Sequence, residues 1–553
     1  MDIYVNSKKY DKIKLEGMYM KKFIEENKKT ILFIFALTLL SSVPLIISGT
    51  KNAPDLAFHL SRIKVIEENI KNKIFFSGVY SEYINGYGYA NGLFYPDIFL
   101  YIPAFIKILG FNIITSYKIF LLLINFATII SIYISIKGIS KNENTTVIGT
   151  IIYTFSSYRL VDMYQRAALG ETLAHIFIPI VIYGLYEIIY GNQKKSYILT
   201  IGMSGLILSH VISTYMMGII ILVFILLNIK KITKEKRIKQ LIISALQTFL
   251  VTSFFLLPLL EQMKSQRFNY QNMNNLKEFI LSKRTVPFYL LFIELPNLRD
   301  KIFNKHWVPS GIGIIFIYLI YKKIKSKNIK EKFIDDSYKI SIVLLILISI
   351  PQFWELNIIK TFLNPIQFPW RFYQIVTLLL TISGSIILGK TVNTKKTIKN
   401  IFLVSLISLS SITLISTVNR IKEFNAYEIA YGEYLPEEID LEKINTREKI
   451  ISDGKTKTKS EKKGTTLEIE IEENTGNKLE LPLIYYKGYN AYMKKEKLEL
   501  KKSENGLVEI NTNKEKGKII VKYEGTKLQH ITKIISFATT LLFIKKRVKS
   551  WEK

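Results

Sequence analysis

The sequence predicts an α-helical, polytopic membrane protein with a small β domain inserted before its last helix. Three observations carry this. Of 553 residues, 49% are hydrophobic and 13% aromatic, and the apolar residues are gathered into runs, several near the roughly 18–20 residues that cross hydrocarbon. The basic residues of a formal charge of +31 sit between those runs, as in KKITKEKRIK (230–239) and KKIKSKNIKEK (322–332). And residues 419–530 change character, alternating apolar and polar residues at period two.

Taken in order, residues 1–29 hold eight lysines and no long apolar run, so they belong in the cytoplasm. The run 31–48 follows without a small-residue cleavage site and reads as a first span running outward. Segment 98–109 is short and carries Pro103, which suits a re-entrant or surface helix. Further spans are expected near 113–136, 145–158, 172–190, 197–212, 213–229, 240–259, 310–321, 339–353, 370–389, 400–418 and 531–544. Alternate counting puts 191–196, 230–239, 322–338, 390–399 and 545–553 on one side, and all are rich in Lys and Arg. That matches the positive-inside rule and gives about twelve spans with both termini cytoplasmic.

The expected domains are a cytoplasmic segment 1–29, a membrane domain 30–418 with external loops 49–95 and 260–309, an external β domain 419–530, and a last helix with basic tail, 531–553. In the β domain, TTLEIEIE (465–472), KLELPLIYY (478–486) and KIIVKY (518–523) are strands separated by Gly-containing turns, the pattern of a sandwich.

Composition also excludes. No nucleic-acid fold motif accompanies the positive charge, so nucleic acid is not an expected partner; membrane lipids are. Zero cysteines rule out disulfides, thiolate catalysis and Cys-ligated zinc. No phosphate-binding Gly-rich loop is present.

Ionisable groups beside apolar runs are costly and need a reason. PDLAFHLSRI (54–63) places Asp55, His59 and Arg62 at i, i+4 and i+7, one polar stripe of an amphipathic helix at the membrane surface. SYRLVDMYQRAALGETLAH (157–175) gathers Arg159, Asp162, Arg166, Glu171 and His175 on the same side as Asp55, which suits either a site or an ion-pair network pinning the loop. NPIQFPWRFY (364–373) puts Gln367, Trp370 and Arg371 at an outer span mouth, where the guanidinium fits a lipid phosphate or ordinary head groups. Tyr87, Tyr89 and Tyr95 are sugar-stacking candidates or interfacial anchors, and Glu433 in GEYLP (432–436) is a further contributor. His210 and His306 lack a paired ligand and are left out.

Five stretches, DLAFHLSRI (55–63), GYGYANGLFYPDIFLYIP (86–103), YRLVDMYQRAALGE (158–171), QFPWR (367–371) and GEYLP (432–436), resemble the YfhO-like and "6-pyruvoyl-tetrahydropterin synthase-related" bacterial membrane proteins. That group is similar to the GT-C glycosyltransferases. The resemblance implies a GT-C-like fold in a bacterial cell membrane and a polyprenyl-phosphate sugar donor. The acceptor is then an envelope polysaccharide or glycolipid. It implies catalysis by Asp55, after the first span, with Glu171 beside it. Arg62, Arg159, Arg166 and Arg371 are then candidates for the donor phosphate. The paired acid common in GT-C sequences is missing, which counts against a metal; a divalent cation held by Asp55 with Glu171 or Asp162 is the remaining option. A lipid-linked saccharide transporter and a non-catalytic scaffold that binds wall polymers are the alternative readings.

Overall fold

The computed structural model describes residues 25–272, 280–293, 311–326, 328–391, 394–429, 432–446 and 450–551. His306 and part of the 260–309 loop lie outside them. Among the described residues, five helices are long and apolar enough to cross a membrane: Ile113–Ser140, Leu169–Ile189, Ile238–Ser265, Pro369–Thr391 and Lys395–Ser416. Asn112 starts the first by accepting the Thr115 amide, and Lys141, left-handed at φ 55°, ends it. At about 1.5 Å per residue such a helix exceeds a hydrocarbon core. Pro369–Thr391 is central, with 94% of its apolar window buried, against 28% for Lys395–Ser416, whose flank faces outward.

The twelve expected spans are not twelve full-length helices. Glu143–Thr154, Tyr197–Ile207 and Ile315–Lys325 are short, although each falls where an apolar run was read. Hydropathy sees the run and not the turn that stops it. The segment with Pro103 forms a 3-10 turn, Ile98–Leu100, and an eight-residue helix, Tyr101–Ile108, too short to span.

The two ends of the bundle differ. At one, the Lys-rich connectors meet: Asp336 accepts from Tyr190, Asn228 and Lys332, and Arg237 donates to the carbonyls of Ile188 and Gly191. At the other, segments distant in sequence interlock. Thr50–Lys51 pairs antiparallel with Arg420–Ile421, Phe268 bridges Pro436, and Gln262 and Gln266 donate to the carbonyls of Lys487 and Tyr485.

The β region comprises two antiparallel sheets. One runs Thr456–Lys463, Thr466–Asn474, Gly517–Tyr523, Tyr489–Met493, Glu496–Leu498; the other Ile451–Ser452, Lys478–Ile484, Leu507–Asn511, Leu500–Lys502. Alternation buries Leu467, Ile469 and Ile471 in the first and Leu479, Leu481 and Leu483 in the second, as a two-sheet core requires. Gly506 and Gly517 take positive φ in the turns between strands. The region docks on the loop at 80–89: the Ile484 amide donates to the Tyr87 carbonyl, and the Lys462 amine to those of Ser81 and Gly86.

One expectation is overturned. His59 and Arg62 of the polar stripe do not look onto water; of the three, Asp55 alone keeps an exposed flank. Helix Leu56–Lys71 is covered nearly all round, with His59 and Arg62 3% and 1% exposed. The interlocked loops cover the polar face, and fixed partners replace its hydration.

Candidate functional site

The chain between helices Glu143–Thr154 and Leu169–Ile189 forms a short helix, Ser157–Val161, then a π-helical turn, Asp162–Arg166, closed by Ala167 at φ 54°. Such turns widen the backbone and recur at functional sites. Here the turn brings Asp162 and Arg166 together, with Arg166 Nη1 donating to Asp162 Oδ1 at 2.5 Å. Arg166 Nη2 reaches Glu171 Oε1 at 3.2 Å and lies 3.9 Å from Asp55 Oδ2. The Asp55 amide in turn donates to the Arg166 carbonyl, which fixes the start of helix Leu56–Lys71 against the turn.

Arg371 completes the cluster. Its Nε donates to Glu171 Oε1 at 2.8 Å, and its Nη1 to the Ile366 carbonyl and to Gln367 Oε1. Tyr158 Oη donates to Glu171 Oε2 at 2.9 Å. Trp370 lies under the Arg166 guanidinium at 4.6 Å, a cation–π contact. Three carboxylates thus face two guanidinium groups, and they are not equivalent. The side chains of Asp162 and Glu171 are 0% and 1% exposed, while that of Asp55 is 41% exposed. Glu171 accepts from Arg166, Arg371 and Tyr158 and is sealed from solvent, so it is shielded from an acceptor hydroxyl. Asp55 is the weakly paired, reachable carboxylate.

Its surroundings raise the Asp55 pKa above the usual aspartate value. Crowding by protein is the largest cause, Arg166 and Arg371 oppose it, and the Glu171 charge adds to it. Arg371 Nη2 has no acceptor among the described residues, which leaves it for a ligand oxygen.

The remaining candidates are dispersed. Arg62 and Arg159 do not join the cluster, contrary to a shared phosphate-binding role. Arg62 donates from Nε to Asp97 at 3.0 Å and from Nη2 to the Pro96 carbonyl, contacts His59, and stacks over Tyr95 at 4.2 Å. Arg159 donates to the Thr154 carbonyl and to Asn125 Oδ1 at 2.9 Å, and is fully buried. A buried guanidinium must satisfy its donors, and both do so locally. His175 sits between Asp162 at 3.3 Å and the Tyr153 hydroxyl at 3.1 Å. Tyr87 and Tyr89 are buried under the β region; Tyr89 Oη accepts the Tyr434 amide, and its ring stacks on that of Tyr434. They have no face left for a sugar. Glu433 lies beside Tyr89, and its backbone carbonyl accepts the Tyr270 amide.

Sequence reasoning passed over Asp97, which also accepts from Tyr80, and Tyr158. Asp97 stands at the edge of the apolar segment 98–109, the same signal that singled out the other charges. It passed over His210 too, whose ring lies 6.2 Å from that of Tyr95. For a divalent cation, no group of three His, Asp or Glu side chains converges among the described residues, and Arg166 holds the centre of the carboxylates.

Fold and site together define a polytopic helical membrane protein with a charged, partly open cluster at the end that carries its β region. Residues 93–417 match the family described as "6-pyruvoyl-tetrahydropterin synthase related domain; membrane protein", and the chain belongs to that family. It is 24% identical over 278 residues to an uncharacterized protein of Lactococcus lactis subsp. cremoris (strain MG1363), covering 49% of this chain and 45% of that one. The chain therefore spans less than half the length of that relative. Among solved structures it is similar to the arabinofuranosyltransferase AftD from Mycobacteria, with a TM-score of 0.42 and 11% identity over 71% of this chain and 27% of that one. A mutant of AftD gives a TM-score of 0.33 and 13% identity, over 71% and 28%.

Proposed function

We propose that this chain is a membrane glycosyltransferase that moves sugar from a polyprenyl-phosphate donor to a hydroxyl of an envelope polymer or glycolipid, at the bundle end that holds Asp55. The observation that carries the reading is the half-open Asp55 carboxylate beside the sealed Arg166–Glu171–Arg371 network. The resemblance of 55–63, 158–171 and 367–371 to the YfhO-like group, itself similar to the GT-C glycosyltransferases, supports it.

In this reading Asp55 takes the proton of the acceptor hydroxyl. The hydroxyl oxygen bonds to the anomeric carbon, and the bond from that carbon to the donor phosphate oxygen breaks, leaving the electron pair on phosphate. Arg371, through Nη2, and Arg166 meet the developing charge. A raised pKa strengthens Asp55 as a base. Glu171 holds the two guanidinium groups in place, and Trp370 supports Arg166 from below.

The test is Asp55→Asn in purified, reconstituted protein supplied with radiolabelled polyprenyl-phosphate sugars. Transfer falls by at least about 100-fold, the lower scale of general-base catalysis. Donor binding persists, and Arg371→Ala shows the converse, weaker donor binding. Full transferase activity in Asp55→Asn ends the base assignment. Wild-type protein that binds and moves such lipids across vesicles, and never transfers the sugar, is a transporter.

The side is tested separately, in a chain with no native cysteine. Cysteines at Lys73 and Ser265 should react with an impermeant maleimide in intact cells, and one at Lys234 should not. The opposite labelling would place the site in the cytoplasm.

A further inference from the structure

Away from Asp55, a cavity of about 210 Å³ opens between helix Leu56–Lys71, the loop at 74–80, the segment 92–101, helix Ile238–Ser265, the edge of the β region and the last helix, Lys527–Trp551. Its wall is mixed, with Phe75, Phe76 and Phe254 beside polar groups, and Lys533 lines it from the last helix. Lys533 takes part in no hydrogen bond or ion pair among the described residues.

The two acids of the wall do not serve it. Asp97 is held by Arg62 and Tyr80, and Glu524 by Asn490, Tyr492 and Lys522. Lys533 is exposed at the edge of the cavity and has no anion beside it among the described residues, so an anion supplied from outside can reach its amine.

The mouth tells which anion. Phe75 and Phe76, both of which line it, are 55% and 56% exposed. Phe76 is held outward at φ 55°, with its amide donating to the Tyr101 hydroxyl. A free phosphate gains nothing from these side chains, whereas the chains of a lipid cover them. We propose that this cavity binds the phosphate head of an anionic phospholipid, with Lys533 on the phosphate and Phe75 and Phe76 against the first carbons of its chains. The proposal is independent of the transferase reading, since neither Asp55 nor Arg371 takes part.

The test uses full-length protein in detergent micelles doped with phosphatidylglycerol or phosphatidylcholine, with retained lipid counted by mass spectrometry after repurification. Wild type should keep phosphatidylglycerol about fivefold over phosphatidylcholine, the scale of one lysine at an anionic surface. Lys533→Gln should bring the ratio to parity, while Lys545→Gln, on the same helix and away from the cavity, should keep it. Thr465→Trp, which fills the cavity from the β region and retains Lys533, should lower retention as well, so the result does not hang on one variant. Equal retention of the two lipids by wild type, or an unchanged ratio in Lys533→Gln, overturns the proposal. Displacement of phosphatidylglycerol by millimolar inorganic phosphate overturns it too, by assigning the cavity to a free anion.

Discussion

Two buried arginines, Arg62 in the 54–63 stretch and Arg166 in the 157–175 stretch, do opposite things with their charge. Arg62 meets one carboxylate, Asp97, plus a carbonyl and an aromatic face, and nothing is left over. Arg166, with Arg371, meets three carboxylates, and the third, Asp55, is the farthest and the most exposed. A balanced cluster is a fixture of the fold. An unbalanced one whose surplus charge faces an opening can exchange a proton or take up a substrate. Burial alone, nearly equal for Arg62 and Arg166, does not distinguish them; the partner count does.

The contrast can be broken by removing carboxylates one at a time. Glu171→Gln takes from Arg371 its paired carboxylate and from Arg166 one of three, and should cost about 3–5 kcal/mol, the scale for breaking a buried pair, read by chemical unfolding in detergent. Asp97→Asn strands one, so it should sit at the lower end, about 3 kcal/mol, and leave donor affinity unchanged in the folded fraction. A Glu171→Gln protein as stable as wild type would mean that the network is not held by charge.

Proton uptake sharpens the contrast. Because its surroundings raise the pKa of Asp55, the acid limb of kcat/KM should have its midpoint above the 3.8 of a free aspartate. Below that midpoint the rate should fall about tenfold per pH unit. Arg371→Gln removes a charge that opposes the shift and should move the limb to higher pH. Stability has its own sign: between 3.8 and the folded value the native state binds more protons than the unfolded one, so this group's contribution declines as pH rises through that window. An acid limb that Arg371→Gln leaves in place would separate the two residues.

The smallest effect lies outside both clusters. Lys462→Met orphans the carbonyls of Ser81 and Gly86 and should loosen the β region from the 80–89 loop by about 1–2 kcal/mol. Faster proteolysis at that loop, with the helices intact, is the readout.

Much of the cluster was legible because Asp55, Arg166, Glu171 and Arg371 each stand beside apolar runs, where charge has to be explained. What could not be read was pairing. Asp97 lies 35 residues from Arg62, and Asn125 lies 34 from Arg159; half the acceptors are backbone carbonyls that leave no trace in composition. Tyr87 and Tyr89 looked like free aromatic faces until the β region, some 400 residues on, covered them. The sheets themselves were plain in the period-two alternation. The helix lengths were not, because the π turn at Asp162–Arg166 and the early stop at Thr154 respond to packing and not to hydropathy.

The short pairing of Thr50–Lys51 with Arg420–Ile421 sets a clock on synthesis. Arg420 donates to the carbonyl of Ser48, 372 residues earlier, and this contact closes the segment that carries Asp55. At about 5–20 residues per second, a ribosome needs roughly 20–75 s to travel that far. Throughout that interval the early helices sit in the bilayer with the Asp55 segment unclosed. A growing chain therefore cannot close the Asp55 segment until Arg420 has been made, and a chain cut short before Arg420 lacks that pairing.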